Sequence, residues 1–286
     1  MNNIEKAMAY ATEKHKNQKR KITNEPYITH IKDVANILQE NGASEETIIV
    51  GILHDTLEDT DATYLELSKL FGKRIADMVK VESEIKSLPY AERKAEHMKR
   101  VSKAPRETKL VNCADKVSNL KSMIHIYSLY GDNIWNYFNG TKEEIISYYT
   151  MALGALKEVS NKKVYYDFCK LYKKMFNKNI CYVNLLSDKE INKLFDKIVP
   201  QDDINWFTNK KIIRHKNCIE ITAWSICDYQ MTLKLNNRIA IASTNAKTAY
   251  TKNYLKEMYN IFGDSFKEDC VKEMQNNFFL DHYYNS

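Results

Sequence analysis

Gly51-Ile52-Leu53-His54-Asp55-Thr56-Leu57-Glu58-Asp59 is the stretch that decides how this chain reads. It closes an apolar run (Ile48, Ile49, Val50, Ile52, Leu53) and then sets four ionisable groups close together. Ser44 followed by Glu45-Glu46 makes a cap and an acidic first turn, which predicts a helix from about 45 to 58. Helical side chains repeat at i+4, so His54 stacks with Glu58 and Asp55 with Asp59. Burying adjacent carboxylates without a cation is costly. A divalent metal removes that cost.

Working outward, two further ligand-type residues adjoin apolar helical patterns, one before and one after. His30 opens a predicted helix over 30–40, with Ile31, Val34, Ala35 and Leu38 at helical spacing and Gly42 as its stop. Glu25-Pro26 breaks the chain before it. Asp115 follows Leu110-Val111-Asn112-Cys113-Ala114, with Asn119 one turn on. Two imidazoles and two carboxylates make a mixed nitrogen and oxygen donor set that suits Mn²⁺, Zn²⁺ or Fe²⁺. A His-Asp dipeptide alone is common by chance. The order His…His-Asp…Asp, with Glu-Asp one turn after the pair, is far more specific.

The rest of the first half reads as helix: 3–16, 61–71, 73–85, a segment opened by Pro89 and running to about 103, another opened by Pro105, and two more filling 132–158. Residues 161–198 continue helically, and Pro200-Gln201-Asp202-Asp203 reads as a junction. Beyond it the period changes. Lys210–His215, Cys218–Ile226, Tyr229–Leu235 and Arg238–Ala242 are rich in Ile, Thr and aromatics and separated by short polar turns, which predicts a β-meander. Residues 245–262 and 264–279 return to helix. Trp206, Trp224 and Tyr229 are expected to belong to a small core.

Composition agrees. Seven glycines and four prolines in 286 residues are far below the usual share of about 12%, which favours long helices over a many-turned sandwich. No apolar run is long enough for a membrane span. The residues after Met1 lack the basic and apolar regions of a secretory leader. Six dispersed cysteines with no CxxC pair predict free thiols in a reducing cytosol, so the chain is expected to be cytoplasmic. The formal net charge is +6, yet residues 1–160 hold 23 basic and 23 acidic residues. The surplus therefore lies wholly in 161–286. It is spread without a dense basic block, so a solvated surface is favoured over a nucleic-acid patch.

The matching stretches 15–38 (HKNQKRKITNEPYITHIKDVANIL), 51–72 (GILHDTLEDTDATYLELSKLFG), 109–123 (KLVNCADKVSNLKSM) and 132–156 occur in an order that resembles the hydrolase domain of the RelA/SpoT homologues. The likeness is greatest to the small alarmone hydrolases and the metazoan SpoT homologue, and it covers about residues 1–160. The resemblance implies a mainly α protein: an all-helical HD-superfamily domain over 1–160, followed here by a small α+β part over 161–286. It implies one Mn²⁺ held by His30, His54, Asp55 and Asp115. It implies removal of the 3′-pyrophosphate from (p)ppGpp to give GDP or GTP. Glu58 and Asp59 would orient or activate the attacking water. Arg20 and Lys21 would contact base and phosphates, and Asn119 and Ser122 would line the nucleoside pocket. His15 is expected to be a surface or packing residue, and His97, His125, His215 and His282 structural ones.

This chain departs from the family pattern at three places. Ile31 replaces a common Pro after the first His. The loop Lys21-Ile22-Thr23-Asn24-Glu25 is longer than usual and lacks its glycine. Val81-Glu82-Ser83-Glu84 stands where a Val-Thr stretch is common. Residues 161–286 are too short for a synthetase domain with regulatory modules and lack its basic motifs. Their expected roles are self-association, ligand sensing or partner binding. Two other readings compete: an HD phosphohydrolase acting on another phosphorylated nucleotide such as NADPH, and a nucleotide-binding regulator without turnover. The intact ligand set argues against the second of these.

Overall fold

In the computed structural model the described residues are 2–199, 207–215, 218–225, 230–236, 240–242 and 247–266. Residues 267–279 of the helix expected over 264–279, the junction at 200–203, Trp206, Tyr229 and His282 lie outside them. Among the described residues no helix is long and apolar enough to cross a membrane. The cysteines among them (Cys113, Cys169, Cys181, Cys218) are free. The chain divides into two compact units, Met1–Lys178 and Asn179–Ser286.

The first unit is helical: α1 (Asn3–Lys14), α2 (Ile28–Glu40), α3 (Glu45–Leu53), α4 (Thr56–Asp59), α5 (Tyr64–Phe71), α6 (Lys73–Glu82), α7 (Tyr90–Lys103), α8 (Arg106–Tyr130), α9 (Lys142–Ala155) and α10 (Lys163–Phe176). A 3₁₀ segment, Gly131–Tyr137, stands where the first of the two helices predicted over 132–158 would begin. Helix α8 organises the unit. No breaker interrupts it between Pro105 at its N-cap and Gly131 (φ 57) beyond its end. It packs against α2, α3, α6, α7 and α10. Wrapped on so many sides, it buries Lys109, Asn112, Asp115, Lys116 and Ser118 along with its apolar residues. Because α10 packs on α8, this unit runs past residue 160.

Helix α3 is buried from Thr47 to Leu53, so its pattern is continuous rather than one-sided. Its crossing with α2 is close at Gly51. A Cβ there would lie 2.3 Å from Leu38 Cδ1, and Leu38 is itself in the core. Gly51→Val should therefore lower stability by about 1–3 kcal/mol through overpacking. A denaturation midpoint equal to that of the parent would refute this reading of the contact.

The second unit carries α11 (Asp188–Ile198), an antiparallel sheet in the order β1 (Phe207–Arg214), β2 (Ile219–Ser225), β3 (Gln230–Leu235), β4 (Ala240–Ala242), and α12 (Lys247–Phe262). Ile221 pairs with Ile212 and with Leu233. Strand residues alternate between faces, and Ile219, Ile221, Ala223, Met231, Leu233 and Leu235 are buried on one of them. Helix α12 packs on α11 and β4 and adds Tyr254, Met258 and Phe262 to this small core.

Candidate active site

The predicted helix over 45–58 is interrupted at its functional point. Helix α3 stops at Leu53 and α4 starts at Thr56. Two side chains take backbone carbonyls at the break: His54 Nδ1 bonds Gly51 O at 2.7 Å, and Thr56 Oγ1 donates to Leu53 O at 2.6 Å. The bond at Nδ1 makes that nitrogen the donor and leaves Nε2 with its lone pair directed inward. His30 is held by a side chain instead, its Nδ1 sharing a hydrogen bond with Ser118 Oγ at 3.0 Å.

The two Nε2 atoms and two carboxylate oxygens converge. Asp115 Oδ1 lies 3.2 Å from His30 Nε2 and 3.8 Å from His54 Nε2. Asp55 Oδ2 lies 2.9 Å from His54 Nε2 and 3.7 Å from His30 Nε2. His30, His54 and Asp115 form a buried group able to hold a metal ion. His54 Nε2 is buried and makes no hydrogen bond, although a carboxylate oxygen is near. Donor atoms that crowd together without pairing are what a metal centre requires.

The electrostatics ask for a positive charge at the same point. Burial opposes a charged His54, yet Asp55 and Asp115 hold its imidazolium well above the usual histidine range. Burial likewise opposes the Asp55 carboxylate, and His54 and then His30 pull it below the ordinary range. Asp115 is pulled well below its range too, against burial, by Lys116 and the two histidines. A cation bound by the cluster replaces the protons that would otherwise offset the two carboxylates.

The remaining partners orient these ligands. Tyr27 Oη donates to Asp55 Oδ2 at 2.6 Å. Asn119 Nδ2 donates to Asp115 Oδ1 at 2.6 Å, and Lys116 Nζ donates to Asp115 Oδ2 at 2.6 Å. Tyr27 and Lys116 were not singled out from sequence. The available signal was spacing, since Tyr27 precedes His30 by one turn and Lys116 adjoins Asp115. His15 is a packing residue, stacked on Tyr27 with ring centroids 5.0 Å apart.

Beside the cluster is a cavity of about 580 Å³. Its lining includes Arg20, Lys21, His54, Asp55, Glu58, Asp59, Asp115, Asn119 and Ser122. All the sequence-predicted residues thus reach one place, with His30 buried behind the wall. Arg20 and Lys21 sit on a loop closed by Arg20 N–H donating to Glu25 O at 2.8 Å. Asn24 takes the left-handed conformation there (φ 59), which Asn tolerates better than most residues. This is how the loop turns without a glycine. Arg20 is 3.4 Å from Asn119 Oδ1.

Glu58 and Asp59 differ in setting. Asp59 pairs with Lys86 at 2.9 Å. Glu58 Oε2 accepts the Glu84 backbone N–H at 2.9 Å. Burial pushes the Glu58 carboxyl up to about 7, with nearby Glu84, Asp55 and Asp59 adding to it and the Glu84 N–H opposing. A carboxylate tuned near neutrality beside a metal centre can accept a proton from water. Glu82, buried beside Asn112 (2.7 Å), is raised to about 7 by burial.

An all-helical unit with a His/Asp cluster able to hold a metal ion beside a polar cavity is the architecture of an HD-type domain. The HD domain family profile matches residues 7–138. A guanosine-3′,5′-bis(diphosphate) 3′-pyrophosphohydrolase of Aquifex aeolicus is 42% identical over 123 residues, covering 42% of this chain and 18% of that protein. The MESH1 enzyme of the same description from Xenopus tropicalis is 38% identical over 123 residues, covering 42% of this chain and 69% of the relative. A solved metazoan orthologue of SpoT, described as hydrolysing ppGpp, superposes with a TM-score of 0.50 at 26% identity over 60% of this chain and 94% of that one. The chain belongs to this HD-domain family of MESH1- and SpoT-like proteins. It spans less than a fifth of the Aquifex relative's length.

Proposed function

We propose that this chain is a cytoplasmic, Mn²⁺-dependent (p)ppGpp 3′-pyrophosphohydrolase, releasing pyrophosphate and leaving GDP or GTP. The observation that carries the reading is the convergence of His30, His54, Asp55 and Asp115 beside a cavity that also holds Glu58, Arg20 and Lys21. Those four residues would hold the metal. When bound, it supplies Lewis-acid polarisation of a phosphoryl oxygen and lowers the pKa of water. Glu58 accepts the proton of the attacking water, and Asp59, steadied by Lys86, orients that water. The water oxygen bonds to the phosphorus attached to O3′, and the P–O3′ bond breaks. The departing O3′ takes a proton, so the nucleoside regains its hydroxyl. Arg20 and Lys21 offset the charge of the polyanionic substrate, and Asn119 and Ser122 contact the nucleoside.

We assign this chemistry to residues 1–160, with Lys163–Phe176 packed on α8 as its support, and leave self-association, ligand sensing and partner binding as the roles open to the rest of 161–286. The purified full chain with Mn²⁺ should release pyrophosphate from ppGpp, followed by product chromatography across a nucleotide panel. Orthophosphate from NADPH with ppGpp left intact would overturn the assignment.

A further inference from the structure

The cavity has a second cationic wall, opposite in sequence to the Arg20 loop and drawn from α7. Tyr90, Arg93, Lys94 and His97 follow helical spacing on one face of α7, and all four line the cavity. Glu84 is the shared carboxylate of this group. Its Oε2 lies 2.8 Å from Arg93 Nε, its Oε1 bonds Lys94 Nζ, and His97 Nδ1 is 3.6 Å away. Arg93 Nε is buried yet out of line for a hydrogen bond. The side chains of Arg93, Lys94 and Glu84 are only 19%, 17% and 8% exposed. Two permanent cations therefore share one carboxylate in a largely desolvated wall. Burial holds against Glu84 ionisation, yet His97 and Lys94 lower it to about 2, so it stays charged.

Aromatic rings hold the cations in place. Lys94 Nζ is 4.5 Å and Lys116 Nζ 5.2 Å from the Tyr148 ring centre. Arg93 and Lys94 also lie 5.7 and 5.5 Å from the Tyr90 ring. The Tyr90 ring in turn rests on Gly140, where a Cβ would come within 2.4 Å of its Cε1. The wall is thus pre-organised before any ligand arrives, and it carries one positive charge more than its carboxylate offsets. A desolvated surplus of this kind suits an anion with several oxygen acceptors, and a guanidinium beside an ammonium suits a phosphoryl group.

We propose that Arg93 and Lys94 form a second phosphoryl subsite, which binds a phosphoryl group of the nucleotide other than the one under attack. This rests on the polyphosphorylated substrate of the preceding section, since the group attached to O3′ occupies the metal site and the others need separate partners. The subsite also touches the chemistry, because the Glu84 backbone N–H that carries this cluster's carboxylate is the donor to Glu58 Oε2. Arg93 and Lys94 are binding residues, and Tyr90, Gly140 and Glu84 position them.

The test uses the full metal-loaded chain with Arg93→Gln, Lys94→Met and the conservative Arg93→Lys. Inorganic pyrophosphate is the probe, titrated calorimetrically and as an inhibitor of ppGpp hydrolysis. Each neutral substitution should weaken pyrophosphate and raise KM about ten- to a hundredfold, the loss expected for a charge-assisted contact. Metal content should stay unchanged, kcat should move less than KM, and Arg93→Lys should restore part of the loss. Guanosine nucleotides shortened by one phosphate at either end distinguish the source. The KM penalty disappears only for the nucleotide lacking the phosphoryl group that the wall reads. Unchanged pyrophosphate affinity and KM in both neutral variants would overturn the subsite, as would loss of metal without a change in KM. The calorimetric titration keeps the two proposals separate. Pyrophosphate binding that depends on Arg93 and Lys94 supports the subsite even if ppGpp is not turned over.

Discussion

Asp55→Ala loses metal and hydrolysis together. The carboxylate supplies an oxygen 2.9 Å and 3.7 Å from the two histidine Nε2 atoms, and it is the acceptor for Tyr27 Oη. Its removal leaves two imidazoles, one carboxylate and a half-buried tyrosine hydroxyl without its partner. Loss of an outer partner of a metal ligand already costs about 10- to 100-fold in metal affinity. Loss of a ligand itself should exceed that and bring turnover to background. Metal content by elemental analysis and pyrophosphate release are measured on the same sample, with circular dichroism as the folding check. Stoichiometric metal with retained activity would remove Asp55 from the ligand set.

Glu58→Gln separates metal binding from proton transfer. Glutamine keeps the acceptor oxygen for the Glu84 N–H but cannot take a proton from water. The variant should bind metal as the parent does and lose about 10²- to 10⁴-fold in kcat, the usual contribution of a positioned base. The pH profile provides a second readout. Glu58 acts as a base only when unprotonated, and its carboxyl is pushed up to about 7. Activity of the parent should therefore rise with pH on the acid side, one proton being lost. A bound cation favours the charged form and draws the midpoint below 7. The residual activity of Glu58→Gln should lack this limb. A parental acid limb in the variant would assign the proton transfer to another group.

The helical half was largely legible in sequence, because its signals are local. Openings at Ser44 and Pro105, a stop at Gly42, and apolar spacing in 30–40 act over a turn or two. The order of strands Phe207–Arg214 to Ala240–Ala242 was legible for the same reason, since short polar turns between apolar runs allow little but a meander. The break between Leu53 and Thr56 was not legible. It arises where His54 and Thr56 take backbone carbonyls, a choice that the continuous apolar pattern of Ile48 to Leu53 does not reveal. The packing of α10 on α8 was also hidden, since an amphipathic stripe such as Val164, Phe168 and Tyr172 shows that a face is buried but not against which helix.

The sequence by itself picked out the four side chains that converge beside the cavity. His54, Asp55 and Asp115 follow apolar runs and His30 opens one, and carboxylates placed so close together are costly to bury without a cation. It also determined that Glu58 and Asp59 would stand near them, since they follow within a turn on the same segment. Tertiary structure set the two carboxylates apart. Asp59 meets Lys86 and Glu58 meets a backbone N–H in a buried place, and burial is what lifts one carboxyl toward neutrality. It also decided that Glu84, the adjacent Arg93 and Lys94, and the distant Tyr148 share one wall of the cavity. Charge pairing and desolvation depend on distances across the fold, and those distances exist only once α6, α7, α8 and α9 have packed.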